Sequence, residues 1–216
     1  RSLSEECVRR RKGLPGVRTW RELHGIPSIG FEHQPRNKQS ICNSRSFSTE
    51  IYDRKILMEQ VAKFAAMTAE KLRSQHSLCS ELTVFAATNR FHEDELQQYG
   101  NITIPFVEPT DSTLHLVRAA REAVNEIFVG GCGYKRAGVI ASGISERQGA
   151  VHSMFNAEEQ AQHKRLMDAV DAINKTCGEN SLIIASQGTS SIRTSSEHRS
   201  PRYTTRWDEI PVVKIK

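Results

Sequence analysis

The 216-residue chain carries 30 Lys and Arg against 25 Asp and Glu, a formal net charge of +5, and 38% hydrophobic residues. This places it among soluble globular proteins with one or two domains, and the moderate basic excess suits a polyanionic partner. No apolar run approaches the roughly 18 residues that a membrane-spanning helix needs, which excludes that class.

Residues 1–47 hold ten Lys and Arg against four Asp and Glu, whereas "HEDE" (92–95) is locally acidic. The five cysteines, Cys7, Cys42, Cys79, Cys132 and Cys177, show no C-x-x-C and no metal-like spacing. A reducing compartment with small buried thiols is therefore expected. The opening "RSLSEECVRRRKG" is polar throughout, so no signal peptide is expected there. The first residue is Arg1 and not Met, as expected of a processed chain or a piece of a longer one.

Residues 1–36 show no sustained periodicity. "VRTWRELHGIP" (17–27) predicts one or two helical turns ended by Gly25 and Pro27, followed by an exposed linker over 30–38. From residue 37 the pattern sharpens. A strand is predicted at about 39–49, with Ile41, Phe47 and Ile51 apolar. In "RKILMEQVAKFAAMTAEKLRSQ", Leu57, Val61, Phe64, Ala65, Thr68 and Leu72 recur at helical steps, and Asp53 is the predicted N-cap. Strands follow at 78–89 and 101–107. A second amphipathic helix buries Leu114, Val117, Ala120, Val124, Ile127 and Phe128, capped by Thr110 or Asp111 and broken by "GGCG" (130–133). A fourth strand spans 134–144. After a loop, a third helix at about 158–176 aligns Leu166, Val170 and Ile173. A short strand at 181–188 and a serine-rich stretch lead to the tail.

The order β-α-β-β-α-β predicts an α+β fold, a four-stranded antiparallel sheet with two helices on one face, plus a small C-terminal α/β extension. The other face is left open. Strands one and four can line it with Ser40, Ser44, Arg45, Ser46, Lys135 and Arg136, cations and hydroxyls suited to phosphates. Base stacking needs aromatics on the central strands, and strand four offers only Tyr134, so backbone contacts fit better.

No convincing catalytic centre emerges. "HEDE" reads as a solvated loop, Asp168 and Asp171 as the exposed side of the third helix, and the glycines at 130–133 lack the Lys-Ser/Thr of a phosphate loop. "SPRYTTRW" (200–207) interleaves Arg202, Tyr203, Arg206 and Trp207. That composition suits gripping nucleic acid, docking a partner, or closing a small fold.

"KQSICNSRSFS", "AEKLRSQH", "YKRAGVIASG", "LMDAVDAIN", "ASQG" and "SPRYTTRWDEI" occur in an order and spacing that resemble the C-terminal half of the UmuC branch of bacterial Y-family translesion polymerases, the DNA polymerase V type. The resemblance covers about 17–210. It implies that 1–36 are the end of the thumb and a linker, 37–145 a little-finger DNA-binding domain, and 146–216 the C-terminal domain of that branch. It implies binding to damaged DNA and primer–template in translesion synthesis and the SOS response, in the bacterial cytoplasm at the nucleoid. Lys38, Arg45, Lys135 and Arg136 would contact phosphates. The family's Mg2+ ligands belong to a palm N-terminal to everything seen here, so no cofactor and no primer extension are expected of this chain. Met154 and Phe155 in "VHSMF" occupy the place of a sliding-clamp motif but lack its leading Gln. A UmuD-type dimer, RecA and the clamp are the partners implied, and a protein-interaction module without direct DNA binding is the alternative.

Overall fold

A computed structural model describes residues 3–30, 37–92, 94, 96–147, 157–188 and 200–211. Met154, Phe155 and the serine-rich stretch lie outside the described residues. The chain divides into two compact units, Arg1–Asn37 and Lys38–Lys216.

The first unit is more helical than its sequence suggests. Helix α1 spans Glu5–Leu23, capped by Ser4, whose side chain accepts from the Cys7 amide. It is broken at Gly13, where φ is 65° and ψ −159°. A straight helix would hold residues sixteen apart about 24 Å from each other. Here Arg21 pairs with Glu5 at 2.6 Å and the Trp20 indole donates to the Leu3 carbonyl at 2.7 Å. The two pieces therefore double back on each other. Gly16 permits a close approach, since a Cβ there would lie 2.3 Å from Lys12 Cβ. The broken periodicity of this segment is the signature of two short helices, each too brief to show a stripe.

The second unit is built on β1 (Ile41–Ile51), β2 (Ser77–Thr88), β3 (Tyr99–Thr110) and β4 (Tyr134–Ser142), with α2 (Arg54–Ser74) and α3 (Thr113–Ile127) between them. The strand order is β1-β4-β2-β3, every neighbouring pair antiparallel. It follows that β1 and β2 run parallel on either side of β4, and β3 and β4 on either side of β2. Two split β-α-β units interlock, as the predicted element order requires. A two-residue strand, β5 (Ser145–Glu146), adds to the start of β2.

Both helices cover one face. α2 lies on β1 and β4, and α3 on β2 and β3. The predicted stripe of α2 is buried throughout, and Asp53 caps it by accepting from the amides of Lys55 and Ile56 at 2.6 and 3.3 Å. In α3 the cap is Ser112, one residue beyond the expected pair, and Leu116 is buried where the sequence pattern favoured Leu114. Polar side chains also enter the core, Asn43 of β1 and Thr68 of α2 among them. Asn43 of β1 donates to Thr68 and accepts from Lys71, so its amide is satisfied on α2.

The C-terminal part brings two corrections. Residues 181–188 form no strand; they end in a 3-10 turn, Ala185–Gln187, laid against α2. Helix α4 (Ala157–Cys177) forms as expected but presents a different side. Leu166 and Ile173 are exposed, whereas Met167 is buried and Asp171 faces inward to Arg73. Polar anchors set this rotation. Arg73 forks onto both Asp171 oxygens at 2.6 and 2.7 Å and donates to the Asp111 carbonyl and the Thr113 hydroxyl. Ser112 and His163 hydrogen-bond at 3.1 Å, and the His115 and His163 rings lie 4.6 Å apart. Arg147 pairs with Asp111 beneath them; burial lowers its affinity for its proton, nearby Asp168 opposes that, and Arg73 adds to it. The thiols divide likewise. Cys79 and Cys132 are buried, but Cys42 and Cys177 are exposed.

Candidate nucleic-acid interface

Residues directly opposite one another in a sheet share a face, and successive residues alternate. The register therefore settles which candidate side chains meet. Ser46 of β1 faces Arg136 of β4, which faces Ala87 of β2, which faces Tyr99 of β3. In the adjoining row Ser44 faces Gly138, which faces Phe85, which faces Asn101. Both rows lie on the face away from the helices, because the intervening positions Val84, Ala86, Ala137 and Val139 are buried in the core.

Ser44, Ser46 and Arg136 thus come together on the open face, all exposed. Arg45 takes the alternate register position, opposite Ala137, on the side of the helices. It stays exposed at the edge of the sheet. Lys135 sits where the register shifts on both flanking strands, and its ammonium donates to the Ser48 carbonyl at 2.9 Å. These five residues cluster at the end of the sheet where β4 begins. Ser40 precedes β1, and Lys38 lies beyond it, seven residues and so about 23 Å of extended chain from Arg45. The Lys38 backbone is held there by the Gln75 amide, which exchanges hydrogen bonds of 3.3 and 3.2 Å with it. At that far end the open face turns acidic, with Glu81 opposite Ser142 and accepting from its hydroxyl at 3.2 Å.

The aromatics are not where the sequence pointed. Tyr134 is fully buried, and its hydroxyl donates to the Ile127 carbonyl and accepts from the Val129 amide, so it reaches no ligand. Phe85, on central strand β2, lies on the open face but is only 9% exposed. Its ring crosses β4 over Gly138, where an added Cβ would come within 2.7 Å of Phe85 Cζ. The Arg136 guanidinium carbon lies 5.8 Å from the ring centroid. Tyr99 is 64% exposed at the end of the Arg136 row. Alternation in "LTVFAAT" carried this signal. Phe85 shares parity with Thr83 and Ala87, while Leu82, Val84 and Ala86 form the buried set.

Among the described residues no carboxylate pairs with Arg136, in contrast to the cations of the tail. Arg206 binds Asp208 at 2.7 Å and Glu209 at 3.5 Å, Arg202 lies 3.9 Å from Glu209, and the Arg202 amide donates to Glu209. The tail is a self-neutralised turn ending in a 3-10 segment, Trp207–Glu209, with Trp207 89% exposed and Tyr203 about half exposed. Trp207 therefore closes no core among the described residues. Among the described residues no group of three His, Cys, Asp or Glu is placed to hold a metal ion. No helix among them is long and apolar enough to cross a membrane.

Residues 38–154 match the family model described as the impB/mucB/samB family C-terminal domain, and residues 164–213 match a domain of unknown function, DUF4113. The protein UmuC of Salmonella typhimurium strain LT2 is 33% identical over 218 residues, covering 98% of this chain and 51% of that protein. Protein MucB of Salmonella typhimurium is 31% identical over 97% of this chain and 50% of its own length, and protein SamB of the same organism 32% over 92% and 47%. The chain spans about half the length of the curated relatives it matches. The first family model covers more than half of the residues, on the same sheet and helices that carry the open face. The chain belongs to the impB/mucB/samB family, the UmuC-like group that its sequence motifs resemble.

Proposed function

We propose that this chain is the DNA-holding part of a Y-family translesion polymerase acting in SOS mutagenesis, with 1–36 as thumb end and linker, 37–145 as little finger and 146–216 as the accessory C-terminal domain. The open face of the sheet receives the phosphates of primer and template. Arg136 and Lys135 supply charge, Arg45 adds charge from the edge of the sheet, and Ser44 and Ser46 supply hydroxyl donors on the open face. The observation that carries this reading is Arg136, exposed beside the Ser46 and Ser44 side of β1 on a helix-free face, without a carboxylate partner among the described residues. Contacts of this kind position a duplex and read no sequence, as a polymerase that must travel over any template requires. Lys38 and Ser40, at the far end of β1, would meet a different stretch of backbone.

The test is titration of the purified chain into a labelled primer–template of mixed sequence at several salt concentrations. Affinity should fall steeply with salt, and Arg45→Ala and Arg136→Ala should each reduce the slope of log K against log salt by about one. A salt-independent affinity, or a double variant that binds like the parent, overturns the reading.

One observation favours a second reading, in which the C-terminal part docks a UmuD-type dimer or RecA. Trp207 is 89% exposed beside cations already matched by Asp208 and Glu209, which suits a protein surface better than phosphate. Capture of a purified UmuD-type dimer or RecA by the chain, lost in Trp207→Ala, supports it. Retention by that variant counts against these tail residues. The sliding clamp is proposed from Met154 and Phe155 in the sequence alone.

A further inference from the structure

We infer that Phe85 is a positioning residue for the phosphate contact, its ring over Gly138 of β4 holding the Arg136 guanidinium on the open face. The inference rests on the DNA-binding reading of that face. Three features of the sheet make the device. Gly138 leaves no side chain under the ring, and any Cβ there would collide with Phe85 Cζ at 2.7 Å. Phe85 and Arg136 sit on adjacent antiparallel strands, offset by one row on the same face. The guanidinium carbon then falls 5.8 Å from the ring centroid, within the range at which the negative face of the ring attracts a cation.

Phe85 is too covered to stack a base itself, being only 9% exposed. Its role is played through Arg136. An arginine on a bare strand samples many rotamers and must be immobilised when it binds, whereas one resting on a ring has already lost much of that freedom. The attraction does not consume the guanidinium donors, which lie in its plane and remain available to a phosphate oxygen. Arg136 is the cation best suited to such support, because Lys135 already donates to the Ser48 carbonyl.

The experiment is a double-mutant cycle on primer–template affinity, using the full 216-residue chain at fixed salt. Phe85→Leu should weaken binding about three- to fivefold in the parent, the order expected for freeing one long side chain. In the Arg136→Ala background it should have no effect. Because Leu also alters packing, a second variant carries pentafluorophenylalanine at position 85, which keeps the ring shape and removes its negative face. It should weaken binding by a similar factor with an unchanged melting temperature. Equal losses from Phe85→Leu in both backgrounds, or unchanged affinity with the fluorinated ring, overturn the inference while leaving phosphate binding by Arg136 intact. An Arg136→Ala chain that binds like the parent defeats the underlying reading of the face, and the role of Phe85 with it.

Discussion

Arg73 of α2 and Asp171 of α4, 98 residues apart, are joined by two hydrogen bonds of 2.6 and 2.7 Å from Nε and Nη2 to the two carboxylate oxygens. The Arg73 side chain is largely buried, and its remaining donor Nη1 serves Asp111 and Thr113 at the start of α3. One guanidinium thus ties three helices, and the fork geometry suits arginine alone. Arg73→Lys should lose the paired bonds and Arg73→Ala all of them. We expect Arg73→Ala to destabilise by about 2–4 kcal/mol, with Arg73→Lys in between. Amide hydrogen exchange should show α4 losing protection before the sheet does. Uniform loss across both would mean that α4 does not depend on this anchor.

Gly138 is the seat on which β1 and β2 side chains converge. A methyl there would lie 2.3 Å from Ser44 Cβ and 2.7 Å from Phe85 Cζ. Gly138→Ala should destabilise the sheet by about 1–3 kcal/mol through overpacking. Urea unfolding checks this, and a midpoint equal to the parent's would show that the neighbours give way freely.

Alkaline pH should weaken the fold for a definable reason. Burial pushes the Cys79 thiol from near 9 up to about 12, and burial first, with Cys132 adding, raises Tyr134. In both groups the folded state resists ionisation more than the unfolded chain does. Their stabilising contribution is complete below their ordinary values, near 9 and 10, and drains away as pH rises through the elevated ones. Melting temperature should therefore fall progressively above about pH 9. Cys79→Ala should flatten the first part of that decline, and an unaltered profile in this variant would refute the assignment.

Tyr134 also makes a neutral-pH prediction. Its hydroxyl bonds the Ile127 carbonyl at 3.2 Å and the Val129 amide at 2.9 Å, closing the turn from α3 into β4. Tyr134→Phe keeps the ring and should destabilise by about 1–3 kcal/mol, because two backbone groups lose their partner. Equilibrium unfolding measures it. Unchanged primer–template affinity in this variant is also expected, since the residue is buried under the helix face.

Glu81 marks the far end of the open face, where its carboxylate should repel the DNA backbone. Glu81→Gln keeps the hydrogen bond from Ser142 and removes the charge. Primer–template affinity should rise about two- to threefold near 0.1 M salt and less at higher salt, as screening predicts. Unchanged affinity would mean that the duplex does not approach this end, and a decrease would overturn the repulsion assigned to Glu81.

Much was legible from residue order. The α2 stripe from Leu57 to Leu72 and its Asp53 cap follow from local physics, helical period and an unsatisfied helix end, and both stand in the structure. Alternation marked the four main strands of the sheet within a few residues but misplaced a strand at 181–188. The element order required both helices on one face, so the open face follows from the sequence alone. What alternation could not give was which strands adjoin and in what register, because those pairings join residues up to about a hundred positions apart. Register alone separated Ser44, Ser46 and Arg136 from Arg45 and placed Phe85 under Arg136. Likewise the apolar period of α4 pointed to Leu166 and Ile173, but the helix turned to satisfy Arg73, and an ion pair spanning 98 residues leaves no local trace. Local sequence determined the elements and their family; the tertiary contacts decided which charges face outward together, because a side chain's direction depends on its neighbour across the sheet.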